Sequence, residues 1–289
     1  MNHSKPILPF GPADQPFGRP GRTPFDGFGD HIGGPFDPFA PLPAAPNLPA
    51  QVQAVLEQPV EHFLLQRNRS STNPALTHAA LLLDESSSMH PHRGAALEGY
   101  NAQVGLVCEG AREAGNTRVT LTVFNSYARR VLAASDVEKL TALESDKYRP
   151  SGGTALYDAL GETIAFLLSQ PGSDDPNTAF LVAAFTDGEE NSSRTFSGQT
   201  LKDLITRLEA TGRWTFTLMG PQGGADEMAK VLNIPIGNVA SFNGASTASV
   251  NEAFGRMAQA SATYMNLRAN GVTASASLYA SEDDQAGSL

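Results

Sequence analysis

The sequence predicts an α/β domain built on one open, twisted, mostly parallel sheet with helices on both faces, and three observations predict it. Six short apolar runs bounded by turn residues read as strands. Most are separated by longer segments whose apolar residues recur three and four apart, as on the buried stripe of a helix. One pair is separated only by Asn125 and Ser126, which leaves room for a hairpin and nothing else. The other connections need helical crossovers and therefore join parallel strands, with helices covering the sheet on either side.

In chain order, residues 1–50 hold twelve of the 20 prolines together with Phe10, Phe17, Phe25, Phe28, Phe36 and Phe39. Proline withholds a backbone donor, and nothing recurs at a period of 2.0 or 3.6 residues, so this stretch is expected to be a disordered Pro/Phe/Gly-rich tail. Its Pro-Phe pairs make it either an inert extension or a set of aromatic anchors for a partner. Residues 51–75 follow, with Pro59 interrupting an apolar segment from Gln51 to Leu65, and read as a broken helix or an extended packing segment lying against the domain, then a linker. The domain itself is expected over 76–268. Its strands are expected at Ala79–Leu83, Arg118–Phe124, Ala128–Leu132, Ala179–Phe185, Trp214–Met219 and Asn238–Phe242. Its helices are expected at Arg93–Ala114, Ala155–Ser169, Leu201–Thr211, Ala225–Leu232 and Ala248–Leu267. Residues 269–289, rich in Ser, Ala and acid, read as a second flexible tail.

Charge narrows the function. A net charge of −10, from 20 Lys and Arg against 30 Asp and Glu, argues against nucleic acid and anionic membrane as partners, because both are bound through clustered cations. Cys108 is the single cysteine, which removes an intrachain disulfide framework and fits a reducing compartment. With no signal-peptide pattern and no run of ~18 apolar residues, a cytoplasmic protein is expected.

Three loops carry the chemistry. The first strand runs into Asp84-Glu85-Ser86-Ser87-Ser88-Met89. A glycine turn, Gly152-Gly153, places Thr154 before a strong helix, and a buried strand runs into Thr186-Asp187-Gly188-Glu189-Glu190-Asn191. All three sit on loops at the same expected end of the sheet, the carboxyl end of its parallel strands, where open α/β sheets bind ligands. Two carboxylates and three hydroxyls offer only hard oxygen donors, which suit Mg2+, with Mn2+ as a substitute. Magnesium keeps a position for an external group, so a partner's carboxylate could complete its sphere. His90-Pro91-His92 reads as a surface loop rather than an imidazole site. Thr154 also suits a helix N-cap, and Asp158 reads as structural support.

These motifs, Asp84-x-Ser86-x-Ser88 with Thr154 after Gly152-Gly153 and Thr186-Asp187-Gly188, resemble the metal-ion-dependent adhesion site of von Willebrand factor A domains, over about 190 residues. Within that family the motifs resemble those of intracellular bacterial and phage members. The resemblance implies a sheet of order 3-2-1-4-5-6 with one antiparallel edge strand. It also implies that Ser86 and Ser88 ligate the metal directly, Thr154 directly or through water, and Asp84 and Asp187 largely through water. Ser87 departs from the glycine common in that loop and would be strained if the position needs a positive φ. Glu189 and Glu190 on the rim are expected either to tune partner choice or to be merely solvated.

The expectation is therefore a noncatalytic protein-interaction domain that grips a partner's Asp or Glu through Mg2+; the resemblance adds an AAA-type ATPase as a possible companion. Two alternatives stand beside it: assembly through the Phe/Pro tail, and a metal-dependent phosphohydrolase. The last finds no Gly-x-Ser-x-Gly elbow, no phosphate-cradling Gly-x-x-x-x-Gly-Lys loop, and only Arg93 and Arg194 as flanking cations.

Overall fold

A computed structural model describes residues 47–279 except 68, 74, 244 and 245. The strands are β1 (Leu76–Asp84), β2 (Asn116–Phe124), β3 (Ala128–Asp136), β4 (Thr178–Phe185), β5 (Trp214–Pro221) and β6 (Val239–Phe242). They form one sheet of order β3-β2-β1-β4-β5-β6, parallel throughout except for the β2–β3 hairpin. This is the order and the antiparallel edge that the resemblance implied. The helices are α1 (Ala50–Leu56), α2 (Val60–Gln66), α3 (Arg93–Ala114), α4 (Leu156–Leu168), α5 (Gly198–Ala210), α6 (Gly224–Leu232) and α7 (Thr247–Ala269). Among the described residues no helix is long and apolar enough to cross a membrane.

Alternation along β1 divides the core. Ala79, Leu81 and Leu83 face α3 and α7, while Ala80 and Leu82 face the side covered by α1, α4, α5 and α6. With helices on both faces, β4 is buried along its whole length, which is why its sequence is a continuous apolar run without alternation. On the first face α3 and α7 meet closely because Gly99 and Gly110 carry no side chain. A Cβ at Gly99 would lie 2.4 Å from the Phe254 ring, and one at Gly110 2.5 Å from Met265.

Several boundaries differ from the sequence reading. β3 continues to Asp136 rather than Leu132: as an edge strand with register shifts opposite Val119–Thr122 and a positive φ at Ala134, it lacks the clean alternation that marks a strand's end. α4 begins at Leu156 with Ala155 in the N-cap position, so Thr154 does not cap it. α5 starts at Gly198, where the Ser197 hydroxyl accepts the Thr200 N–H at 3.1 Å. The segment 51–75 is broken at Pro59 and lies on the domain, with Val52 and Phe63 buried.

The domain's C-terminal boundary, expected at 268, is corrected. Residues 270–279 were expected to be tail, yet Leu278 is buried and its N–H donates to Asn238 Oδ1 at 3.0 Å. Asn238 Nδ2 in turn donates to the Ser275 carbonyl at 2.7 Å, and Thr273 Oγ1 to that of Gly212 at 2.6 Å. Side-chain to backbone bonds of this kind leave no periodicity in a sequence. The tails expected at 1–50 and 269–289 otherwise lie outside the described residues, except for 47–50, where α1 begins.

His78 on β1 is 2% exposed, stacks on Phe180 with ring centroids 5.4 Å apart, and neither ring nitrogen has a hydrogen-bond partner. Burial, reinforced by nearby Arg118, lowers its pKa to about 4. The unfolded chain then binds more protons between about pH 4 and 6.5, so this group's contribution to stability is complete above that window and is lost as pH falls through it. Urea unfolding of wild type and His78→Phe should show the wild type losing about 2 kcal/mol more than the variant between pH 7 and pH 5. Parallel pH profiles for the two proteins would contradict the assignment.

Candidate metal-ion site

Register builds the site. β1 and β4 pair in parallel up to Leu83 opposite Phe185, so the next residues, Asp84 and Thr186, stand side by side at the end of the sheet. Thr186 Oγ1 donates to Asp84 Oδ2 at 2.6 Å, and the Ser86 N–H donates to Asp84 Oδ1 at 2.6 Å. Asp84 thus turns the chain back on itself, with Ser86 extended and Ser87–His92 forming a 3-10 turn that leads into α3. Ser87 has no positive φ, so serine at that position is unstrained.

The turn brings the hydroxyls together. Ser86 and Ser88 share a hydrogen bond at 2.9 Å, and Ser88 Oγ donates to Asp187 Oδ1 at 2.7 Å. Thr154 comes from the glycine loop: a Cβ built on Gly188 would lie 3.4 Å from Thr154 Oγ1 and 3.6 Å from Ser88 Oγ. Gly188 therefore leaves open the space that these two hydroxyls border. Asp84, Ser86 and Thr154 are buried, Asp187 is half-buried, and Ser88 is exposed at the mouth.

The glycine loop is locked to the first one. The Ser87 N–H donates to the Gly152 carbonyl at 3.1 Å, and the Ser151 N–H to that of Glu85 at 2.8 Å. Gly152 has φ 75° with Ser126 close by, so this turn does require glycine. Asn191 Oδ1 accepts the Thr154 N–H at 2.9 Å, tying the second loop to the third.

Both acids respond to burial in the same direction. Desolvation raises the Asp84 pKa to about 6 despite the Ser86 and Thr186 hydrogen bonds, and the charge of Asp187 adds to the rise. Burial also raises Asp187, against the Ser88 hydrogen bond and the proximity of His92. Among the described residues neither carboxylate forms an ion pair with a lysine or arginine. Nor do the described residues gather three or more His, Cys, Asp or Glu side chains into a cage. This donor set is two carboxylates and three hydroxyls, all hard oxygen, and it fits a Mg2+ or Mn2+ ion better than a softer metal.

The rim glutamates part company. Glu189 is exposed. Glu190 turns inward: its carboxylate accepts the N–H groups of Tyr157, Ser192 and Ser193 and the Ser193 hydroxyl, all at 2.8–2.9 Å. Asp158 likewise accepts the N–H groups of Arg194, Thr195 and Phe196. Three residues outside the sequence-derived set matter here: Thr186, which orients Asp84; Asn191, which holds Thr154; and Tyr148, whose hydroxyl donates to the Asp84 carbonyl at 2.7 Å. Thr186 and Asn191 flank Asp187 in the motif and could have been noticed. Tyr148 lies on a distant loop and carries no local signal.

No family model and no curated protein matches the chain. Among solved structures it is similar to a von Willebrand factor type A protein from Catenulispora acidiphila, with 16% identity and a TM-score of 0.45, covering 66% of this chain and 43% of that one. It is also similar to the PilB minor pilin from Streptococcus sanguinis, with 13% identity and a TM-score of 0.44, covering 71% and 64%. The ArnB paralog VWA2 from Sulfolobus acidocaldarius shows 11% identity and a TM-score of 0.43, covering 65% and 46%. The chain spans less than two thirds of the length of each.

Calorimetric titration of Mg2+ and Mn2+ into metal-stripped protein should give saturable one-to-one binding that Asp187→Ala removes. Gly188→Ala, which adds a methyl beside Thr154 and Ser88 at a residue without positive φ, should weaken binding at least tenfold while changing stability by less than about 1 kcal/mol. Wild-type affinity in Gly188→Ala would show that the ion does not use this space.

Proposed function

We propose that this domain binds a partner protein by holding Mg2+, or Mn2+ in its place, with Asp84, Ser86, Ser88, Thr154 and Asp187 and presenting it to an Asp or Glu side chain of that partner. One observation carries the reading: oxygen-bearing side chains from three separate loops meet at the sheet's carboxyl end, and among the described residues no lysine or arginine pairs with their two carboxylates. When bound, the ion supplies a positive centre with a coordination position for an external carboxylate. Asp84 and Asp187 supply the countercharge. Ser86, Ser88 and Thr154 complete the set with neutral lone pairs, where a third acid would compete with the partner's carboxylate.

The chain's own residues support a noncatalytic role. The Ser86 and Ser88 hydroxyls bond to each other, Ser88 also bonds to Asp187, and among the described residues neither has an imidazole hydrogen-bond partner to take its proton. The motifs Asp84–Met89, Gly152–Ala159 and Thr186–Asn191 support a likeness to intracellular bacterial and phage von Willebrand A proteins, and with it a cytoplasmic location. They also support a companion AAA-type ATPase, whose phosphate-binding loop this sequence does not contain.

Affinity capture from a cell lysate, run in Mg2+ and in EDTA with wild type, Asp84→Ala and Asp187→Ala, tests the reading. The expected outcome is a partner retained only by wild type in Mg2+, and retained equally after removal of residues 1–46. Capture that ignores EDTA but disappears with residues 1–46 would transfer the binding function to the Phe/Pro segment.

A further inference from the structure

The surroundings of the site carry both signs of charge. Glu189, two residues after Asp187, is exposed. A hollow of about 330 Å3 lies between the β2–β3 turn and residues 146–151, and its walls include Tyr127, Arg129, Asp146, Lys147 and Arg149. Its floor is Glu85, the residue after Asp84, whose carbonyl accepts the Ser151 N–H one residue before the glycine turn. Hollow and metal-ion site are therefore built from the same two loops.

Their charges are not interchangeable. Glu85 is 5% exposed; one carboxylate oxygen accepts the Arg149 backbone N–H, and the other faces the Arg129 guanidinium at 3.4 Å. Arg129 also donates to the Lys147 carbonyl at 2.7 Å, which fixes it as a structural cation. Lys147 and Arg149 are exposed. The ammonium of Lys147 is 3.5 Å from Asp146, both half in solvent, a pairing of little strength. The Arg149 guanidinium donates to the Asp146 carbonyl at 2.8 Å and forms no ion pair among the described residues. Beside them the Tyr127 ring, 67% exposed at the hairpin turn, offers an apolar wall. A chain of net charge −10 repels acidic segments at long range, and this patch offers attraction where such a segment would reach the site.

We propose that the hollow is a second subsite for the same partner, in which Arg149 and Lys147 receive a second carboxylate a few residues from the one at the metal-ion site. The partner is then an acidic segment with two spaced acids, not a single exposed Asp or Glu. The proposal rests on the metal-dependent reading above.

Fluorescein-labelled Gly/Ser peptides carrying one Asp, or the same Asp followed two, three or four residues later by Glu, test it by anisotropy on the full chain in Mg2+. The best two-acid peptide should bind about three- to tenfold tighter than the one-acid peptide, and raised salt should shrink that ratio. In Arg149→Ser combined with Lys147→Ser the ratio should fall toward one; the Arg149 backbone bond to Glu85 survives the exchange. A wild-type ratio near one, a ratio unmoved by the double substitution, or binding of no peptide at about 1 mM overturns the subsite. Mg2+-dependent binding without a preference for two acids removes the subsite and keeps the metal reading. A preference that persists in EDTA and depends on Arg149 keeps the subsite and removes the metal from the grip.

Discussion

The burial of Asp84 at the end of the central strand is the constraint on which the rest of this site depends. A carboxylate taken out of water must be paired, hydrogen-bonded or neutralised. Here it receives the Ser86 N–H and the Thr186 hydroxyl, and no lysine or arginine pairs with it among the described residues. Those two bonds set the direction of both loops that leave the sheet. The first curls back so that Ser86 and Ser88 share one side. The second is held by Thr186, which bonds both to Asp84 and to the Gly188 backbone and so fixes where Asp187 stands. With its hydrogen bonds in place the carboxyl is still raised to about 6, a bias of roughly 3 kcal/mol against the ionised form. A fold built for stability alone would place an apolar residue there.

The sheet was legible in the sequence because its signals are periodic. Buried β4 reads as a continuous apolar run, α3 and α7 as long stripes, and Asn125-Ser126 as a hairpin, and together these predict an open, mostly parallel sheet with one antiparallel pair, whereas the strand order came from the resemblance. Legibility failed where one bond decides the outcome. The Ser197 cap extends α5 by three residues, the bulged edge extends β3, and Asn238 recruits residues 275–278 into the domain. None of these changes a period, so none is visible to a reading based on period.

The candidate site was legible for a different reason. Its donors are clustered in three short motifs whose residue types share one chemistry, and the register of β1 against β4 brings two of the motifs together, the glycine loop being held to them by hydrogen bonds. What stayed hidden was support from afar. The Tyr148 hydroxyl reaches the Asp84 carbonyl across 64 positions, and Glu190, which reads as a rim acid, spends its carboxylate on four donors. A glutamate next to a site can face the partner or hold the loop, and residue type does not distinguish the two.

That use of Glu190 and Asp158 bears on the site's electrostatics. A loop rich in backbone N–H groups can be organised by an acid inside it or by other bonds that a basic residue makes to its carbonyls. Here the loop after Asp187 is organised by two acids, which between them accept six backbone N–H groups. A lysine or arginine doing the same work from the carbonyl side would stand within reach of Asp84 and Asp187 and could form an ion pair with them. Keeping the scaffold acidic leaves those carboxylates without such a pair among the described residues, while Arg129, Lys147 and Arg149 line the hollow around Glu85. The separation is what allows one face to offer an unpaired anionic centre beside a cationic patch, two features that would cancel if their side chains could meet.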